Sequence, residues 1–283
     1  KSNNLINNKN ARTSVTGSDS NVGLEGFGHG TNIAFEWANS KYNDTSDAYM
    51  WLAGGHYTWN NDNSKFSFDV TRDGAFPTRL AYHGNSTYTS NSVSFDTRSS
   101  VSRNDIKLYN GKNYSTTALS SKYYNIYKFY KTRSNEQVAI DTTNNLFIIR
   151  VTGSSGQIFS IYKLTDIKNS SVDYIDGNIP KLATFTIPKT PLDFQEFDIA
   201  GDYVYVYYGE SNRNGTQNSQ GYVAMYDFLG NEKFNKKVYS TSTSIFEEPE
   251  GIKVYKESGK YVAYLGSSLV SGSQKYVKIC TFK

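Results

Sequence analysis

The sequence has 283 residues, with 24 Tyr and 16 Phe against 2 Met and 5 Pro, and its charges nearly cancel at a formal +4. So aromatic a composition excludes a disordered chain, which is poor in aromatics and high in net charge. Lys and Arg are scattered, with no run longer than a pair such as Lys236-Lys237, so the concentrated basic face that nucleic acid requires is excluded as well.

In chain order, residues 1–20 are polar apart from Leu5-Ile6 and are expected to form a tail or an edge strand. Residues 21–283 are expected to form one domain. Tyr, Phe, Val and Thr favour strands, and Asn, Gly and Ser favour the turns between them. No stretch carries a sustained helical period.

Five units are expected. The first opens at Glu25-Gly26-Phe27-Gly28-His29-Gly30 and runs through NIAFEW, AYMWLAGG and KFSFDV. The second opens at Arg79-Leu80-Ala81-Tyr82-His83 and contains a stretch, SSVSRNDIKLYNGKNYSTTALSSK, that reads as a long loop. The third opens at Glu136, turns at Asn144-Asn145, and continues through LFIIRV and QIFSIYKL. The fourth opens at Gln195, turns at Gly201-Asp202, and continues through YVYVYYGE and GYVAMYDF. The fifth opens at Glu250, turns at Ser258-Gly259, and continues through YVAYLG and KYVKICTF. The last three starts are 59 and 55 residues apart. Repeated sheets of this length, with a period-two run such as Tyr203-Val204-Tyr205-Val206-Tyr207, predict an all-β, five-bladed β-propeller, whose radial closure protects its strand edges.

The chemistry-bearing residues are sparse. His29, His56 and His83 are evenly spaced beside glycines, but no His-x-His or Cys-x-x-Cys pair exists, so no metal site is expected. The lone Cys280 lies on an alternating strand and is expected to be a buried small hydrophobe. Gly-Ser-Ser-Gly at 153–156 is expected to be a hairpin loop, since no helix follows to make a nucleophile elbow. Gly26-Phe27-Gly28-His29-Gly30 lacks the helix start of a phosphate-binding loop, so no cofactor is expected.

Two readings of the site stay open. Glu25, Glu136 and Glu250, with Gln195 in the fourth unit, are expected to form a polar ring at the starts of innermost strands, at one end of the channel. They serve either as hydrogen-bonding groups or as the paired carboxylates of a glycoside hydrolase. Gly54-Gly55-His56-Tyr57-Thr58-Trp59 is expected to lie between strands, with an aromatic face for a sugar. The candidate ligand-binding residues are therefore His29, His56, Trp59, Glu136, Gln195 and Glu250, with no catalytic residue assigned.

The set GGHYTW (54–59), FDVTR (68–72), FPTRLAYHG (76–84), NEQVAIDTTNNLFIIRV (135–151), FSIYKLTDI (159–167), EEPEGIKVY (247–255) and YVAYLG (261–266) resembles the helveticin J family. These are large class III bacteriocins of lactic acid bacteria. They are similar in turn to the propeller domains of phage receptor-binding proteins that grip wall teichoic acid. The resemblance implies a secreted five-bladed propeller that binds bacterial cell-wall glycopolymer and acts against competing bacteria. It supplies no active-site residues. A chain that starts without Met and carries no signal peptide or membrane span is expected to be the processed form of an exported, secreted or surface-associated protein. A surface-layer-associated interaction module is the other non-enzymatic expectation.

Overall fold

The computed structural model describes residues 33–37, 48–53, 56–60, 65–69, 77–82, 91–94, 107–110, 113–118, 124–126, 129–130 and 136–282, the last range without 173, 191, 213–216, 244 and 273. The tail at 1–20 and the expected first unit start at Glu25–Gly30 lie outside them.

The described chain is all-β and built from antiparallel sheets. The first stretch contains β1 (Ile33–Trp37), β2 (Ala48–Ala53), β3 (His56–Asn60), β4 (Lys65–Asp69), β5 (Pro77–Tyr82), β6 (Asn91–Ser94), β7 (Lys107–Asn110), β8 (Asn113–Ala118) and β9 (Tyr124–Ile126). The first sheet has the order β1-β2-β5-β9. The hairpin β3-β4 is inserted between β2 and β5, and the meander β6-β7-β8 between β5 and β9.

The remaining sheets are simple meanders. The second sheet is β10 (Gln137–Asp141), β11 (Leu146–Thr152), β12 (Gly156–Lys163) and β13 (Ala183–Pro188), with a short helix α1 (Leu164–Lys168) after β12. The third is β14 (Asp193–Ala200), β15 (Tyr203–Glu210), β16 (Gln220–Asp227) and β17 (Glu232–Ser240). The fourth is β18 (Phe246–Glu257), β19 (Lys260–Ser271) and β20 (Gln274–Phe282).

The starts at Glu136, Gln195 and Glu250 fall just before or within β10, β14 and β18, the first strands of three successive sheets. Arg79 does not start a sheet. It lies on β5, the third strand of the first sheet. The two insertions stretch that sheet over residues 33–126, so a period of about 55 residues, carried back from the later units, divides one sheet in two. The stretch expected to be a long loop holds β7 and β8, in which Asn110 pairs with Asn113. The segment expected between strands, 54–59, instead enters β3, whose His56 pairs with Asp69 and Trp59 with Phe66.

Sequence alternation explains how the sheets stack. In β15 the valines and tyrosines alternate, and residues 204–208 are all buried. Val204 and Val206 enter a core with Ala139, Ile148 and Phe159 of the second sheet. Tyr205 and Tyr207 enter another core with Ile252, Val254 and Leu265 of the fourth. A strand buried on both faces needs apolar bulk on both parities, and the Val/Tyr alternation supplies it. A third core joins the first and second sheets. Here Trp51 meets Phe147 edge-on at 5.0 Å, Phe129 stacks on Phe147 at 5.2 Å, and α1 contributes Leu164 and Ile167. Strand β10 packs against β1 and β14, and β14 against β18, so the first strands of the four sheets run side by side.

The turns follow local chemistry. Between β10 and β11, Asp141 accepts hydrogen bonds from the backbone and side-chain N–H groups of Asn144, and Asn145 adopts φ 56°. The Gly-Ser-Ser-Gly segment is the expected hairpin turn, closed by Gly153 N–H to Gly156 O at 2.8 Å. Among the described residues no helix is long and apolar enough to cross a membrane.

Candidate functional site

The first strands carry unusual side chains for buried positions. Glu196 and Asp198 alternate on the face of β14 that looks toward β18. Glu196 Oε2 accepts from Ile252 N–H at 2.9 Å, and Asp198 Oδ2 accepts from Val254 N–H at 2.7 Å. Asp198 Oδ1 also accepts from Lys253 Nζ at 2.8 Å. A strand at the inner edge of a sheet exposes amides that must be satisfied. Here the preceding sheet satisfies them with carboxylates. Gly251 makes the approach possible, because a Cβ there would stand 2.6 Å from Glu196 Oε2.

Burial sets the protonation of this seam. It pushes the Glu196 carboxyl up to about 8, with Asp198 and Glu250 adding repulsion against the pull of Ile252 N–H and Lys253. Burial lowers the Lys253 ammonium, but the adjoining Asp198 outweighs it and holds Lys253 above its ordinary value. A comparable group closes the first sheet. Glu36 accepts from Trp51 Nε1 at 2.9 Å, Arg79 Nε at 2.7 Å and Lys168 Nζ at 2.5 Å, and Arg79 lies 3.3 Å from the centroid of the Tyr49 ring.

Where the first strands end, their turns surround a cavity of about 390 Å³. Strand β1 supplies Phe35. The β10–β11 turn supplies Asp141, Thr142, Thr143 and Asn144. The β14–β15 turn supplies Gly201 and Asp202, β18 supplies Lys253, Tyr255 and Lys256, and β19 supplies Tyr261. Asp141 Oδ2 accepts from Gly201 N–H at 3.2 Å, tying two turns together. Lys256 Nζ stands 5.8 Å from the centroid of Tyr261. The lining thus combines hydroxyl, amide, carboxylate and ammonium groups with aromatic surface.

Gly201 fixes the position of Tyr261. Its φ is +60°, and a Cβ there would lie 2.3 Å from the Tyr261 hydroxyl oxygen. A non-glycine residue in this left-handed conformation costs about 1–2 kcal/mol before any clash. Gly201→Ala is therefore expected to lower the denaturation midpoint by at least that much and to displace Tyr261, which chemical denaturation and tyrosine fluorescence would register.

Of the residues singled out in the sequence, Glu136, Gln195 and Glu250 do not line this cavity. Glu136 is enclosed just before β10, with 1% exposure. Gln195 is half-buried on β14, and its backbone carbonyl accepts from Gln137 Nε2 at 3.3 Å. Glu250 is exposed on β18, at a bulge between Pro249 and Gly251. These three lie toward the beginnings of the first strands, and the cavity lies at their ends. His56 and Trp59 are on β3, and His29 and His83 fall outside the described residues. Cys280 is exposed, not buried, because β20 pairs with no further described strand beyond β19. The described residues contain no group of His, Cys, Asp and Glu able to hold a metal ion.

The residues that sequence reasoning missed are Glu196, Asp198, Asp141 and Asp202. The signal for the first two was present in Gln195-Glu196-Phe197-Asp198-Ile199, where acids alternate with apolar residues in a strand that must be buried.

No protein-family model matches the chain, and no curated protein does. Among solved structures it is similar to the tail fiber of Staphylococcus aureus phage P68, at 16% identity and a TM-score of 0.47. The match covers 92% of this chain and 51% of that one, so the chain spans about half the length of the fiber protein it matches.

Proposed function

We propose that the four sheets belong to a five-bladed β-propeller, and that the protein is a non-catalytic, bacteriocin-like module, secreted or surface-associated. Its ligand in this reading is a bacterial cell-wall glycopolymer, teichoic acid or another glycan, held in the cavity at the ends of the first strands. The observation that carries the proposal is the lining of that cavity. Sugar C–H faces stack on tyrosine rings such as Tyr255 and Tyr261. Sugar hydroxyls pair with Asp202, Thr142, Thr143 and Asn144, and the Lys256 ammonium suits a phosphate or another anionic substituent.

Two observations favour binding over hydrolysis. Hydrolysis of a glycosidic bond needs two carboxyl groups free to act on opposite sides of it. Asp141 already accepts three N–H bonds, and Glu196 and Asp198 are enclosed against β18. Of the sequence-derived pair, Glu136 is enclosed while Glu250 is exposed.

The test is retention on purified Gram-positive cell walls, with teichoic acid intact or stripped. Aromatic stacking on a planar ligand is worth about 1–3 kcal/mol, so Tyr255→Ala is expected to weaken retention roughly tenfold or more. Lys256→Ala should weaken it only on walls that keep their teichoic acid. Wild-type protein that ignores both kinds of wall would overturn the proposal. So would release of reducing sugar that disappears in Glu136→Gln/Glu250→Gln, which would favour the hydrolase.

A further inference from the structure

The cavity at the ends of the first strands carries charge of both signs, and the protein does not match the two signs within itself. Lys253 reaches the cavity, but its ammonium is already paired with the buried Asp198 at 2.8 Å. Lys256 is exposed on β18, and among the described residues it has no ion-pair partner. Asp202, exposed on the β14–β15 turn, likewise has none. Asp141 accepts N–H groups of Asn144 and Gly201, and no described cation bonds it.

Tyr261 ties these groups into one patch. Its hydroxyl lies against Gly201, where a Cβ would stand 2.3 Å away. Burial, and then the carboxylates of Asp141 and Asp202, raise that hydroxyl above its ordinary value. Lys256 Nζ stands 5.8 Å from the centroid of the same ring. Two carboxylates thus gather near the hydroxyl end of Tyr261 and one ammonium near its ring, with Tyr255 and Phe35 adding aromatic surface.

Such a lining disfavours a ligand that carries only negative charge. A phosphate drawn to Lys256 meets Asp141 and Asp202 around the same ring, and like charges brought together cost affinity. A ligand with an ammonium of its own turns that repulsion into attraction. Resting on the reading of this cavity as a glycopolymer site, we propose that its ligand is zwitterionic: a polyol or sugar phosphate chain that carries primary amines, such as one esterified with an amino acid. The phosphate takes Lys256. The ligand's ammonium takes Asp202, favoured also by the charge of Asp141, and the tyrosine rings supply the aromatic surface between the two.

Three probes test this by calorimetry on the full chain, below neutral pH where the ester persists. The first is poly(glycerol phosphate) carrying alanine esters. The second is the same polymer after mild alkali, which removes the alanine. The third is the same polymer N-acetylated, which keeps the ester and removes the positive charge. The alanylated polymer is expected to bind about tenfold more tightly than either of the others, as one ion pair and one cation–π contact together suggest. Asp202→Asn should abolish that preference without weakening binding of the alkali-treated polymer, and Lys256→Ala should weaken binding of all three. Alkali-treated polymer that binds the wild type as tightly as the alanylated form would overturn the zwitterionic ligand and leave the anionic glycopolymer reading standing. A preference that survives Asp202→Asn would overturn the assignment of the ammonium to Asp202. Binding of none of the three would sink that reading and this inference together.

Discussion

Asp198→Ala is expected to lower the melting temperature by roughly 10 °C. The substitution strands the Lys253 ammonium and the Val254 amide at the seam between the third and fourth sheets. Removing the buried partner of this pair costs about 3 kcal/mol, the low end for a buried pair because the Lys253 side chain is 29% exposed and lines the cavity, and the unsatisfied Val254 amide is part of that cost. In a domain of this size each kcal/mol shifts the transition by about 2–4 °C. Asp198→Ala/Lys253→Met removes the stranded charge along with its partner and should recover part of the loss. Thermal unfolding followed by circular dichroism measures both. A double variant as unstable as the single one would show that the Val254 amide, and not the ion pair, sets the cost.

Raising the pH from 5 to 9 is expected to destabilise the fold through Glu196. Burial holds its carboxyl at about 8 in the folded protein, against 4.5 for an ordinary glutamate in the unfolded chain. A group whose folded value is raised binds its proton more tightly in the native state. Its contribution is complete below about 4.5 and is lost as the pH climbs through about 8. The shift corresponds to on the order of 4 kcal/mol between those limits. Glu196→Gln keeps an oxygen for Ile252 N–H and removes the titration, so its stability should be nearly flat across that window. Denaturant midpoints at pH 5, 7 and 9 for the two proteins test this. Parallel curves would show that the seam does not titrate there.

The sequence revealed most where a strand is buried on both faces. The Val/Tyr alternation of β15 and the aligned starts at Glu136, Gln195 and Glu250 follow from local periodicity, and they marked the first strands of three sheets. Two things hid the first sheet. Its strands are separated by inserted hairpins, and spacing alone does not distinguish an insertion from a new repeat. The cavity was hidden for another reason. It is made by turns, where Asp141, Gly201 and Asp202 look like ordinary turn formers, and only the packing of one sheet on the next brings them together. The charge and position of Glu136 suggest a ligand contact, yet this acid at the start of an innermost strand is enclosed. Cys280 is exposed where burial is expected, because alternation gives the side a residue faces and does not say whether another strand covers it.

The alternation in β15 has an evolutionary corollary. Val204, Val206 and Tyr208 answer to one neighbouring sheet and Tyr205 and Tyr207 to the other, so successive residues of a single strand are selected by different halves of the molecule. A change at Val206 is free to co-vary with Phe159 and Ala139 without involving the fourth sheet. A change at Tyr207 is constrained by Ser267, whose hydroxyl lies 3.1 Å from the Tyr207 hydroxyl, and by Leu265. Coupling of this kind passes only between neighbours, as in repeat proteins. Homologous chains are therefore expected to diverge as interlocked pairs of half-sheets, and recombination between them should be tolerated best where a crossover keeps both partners of one core from the same parent.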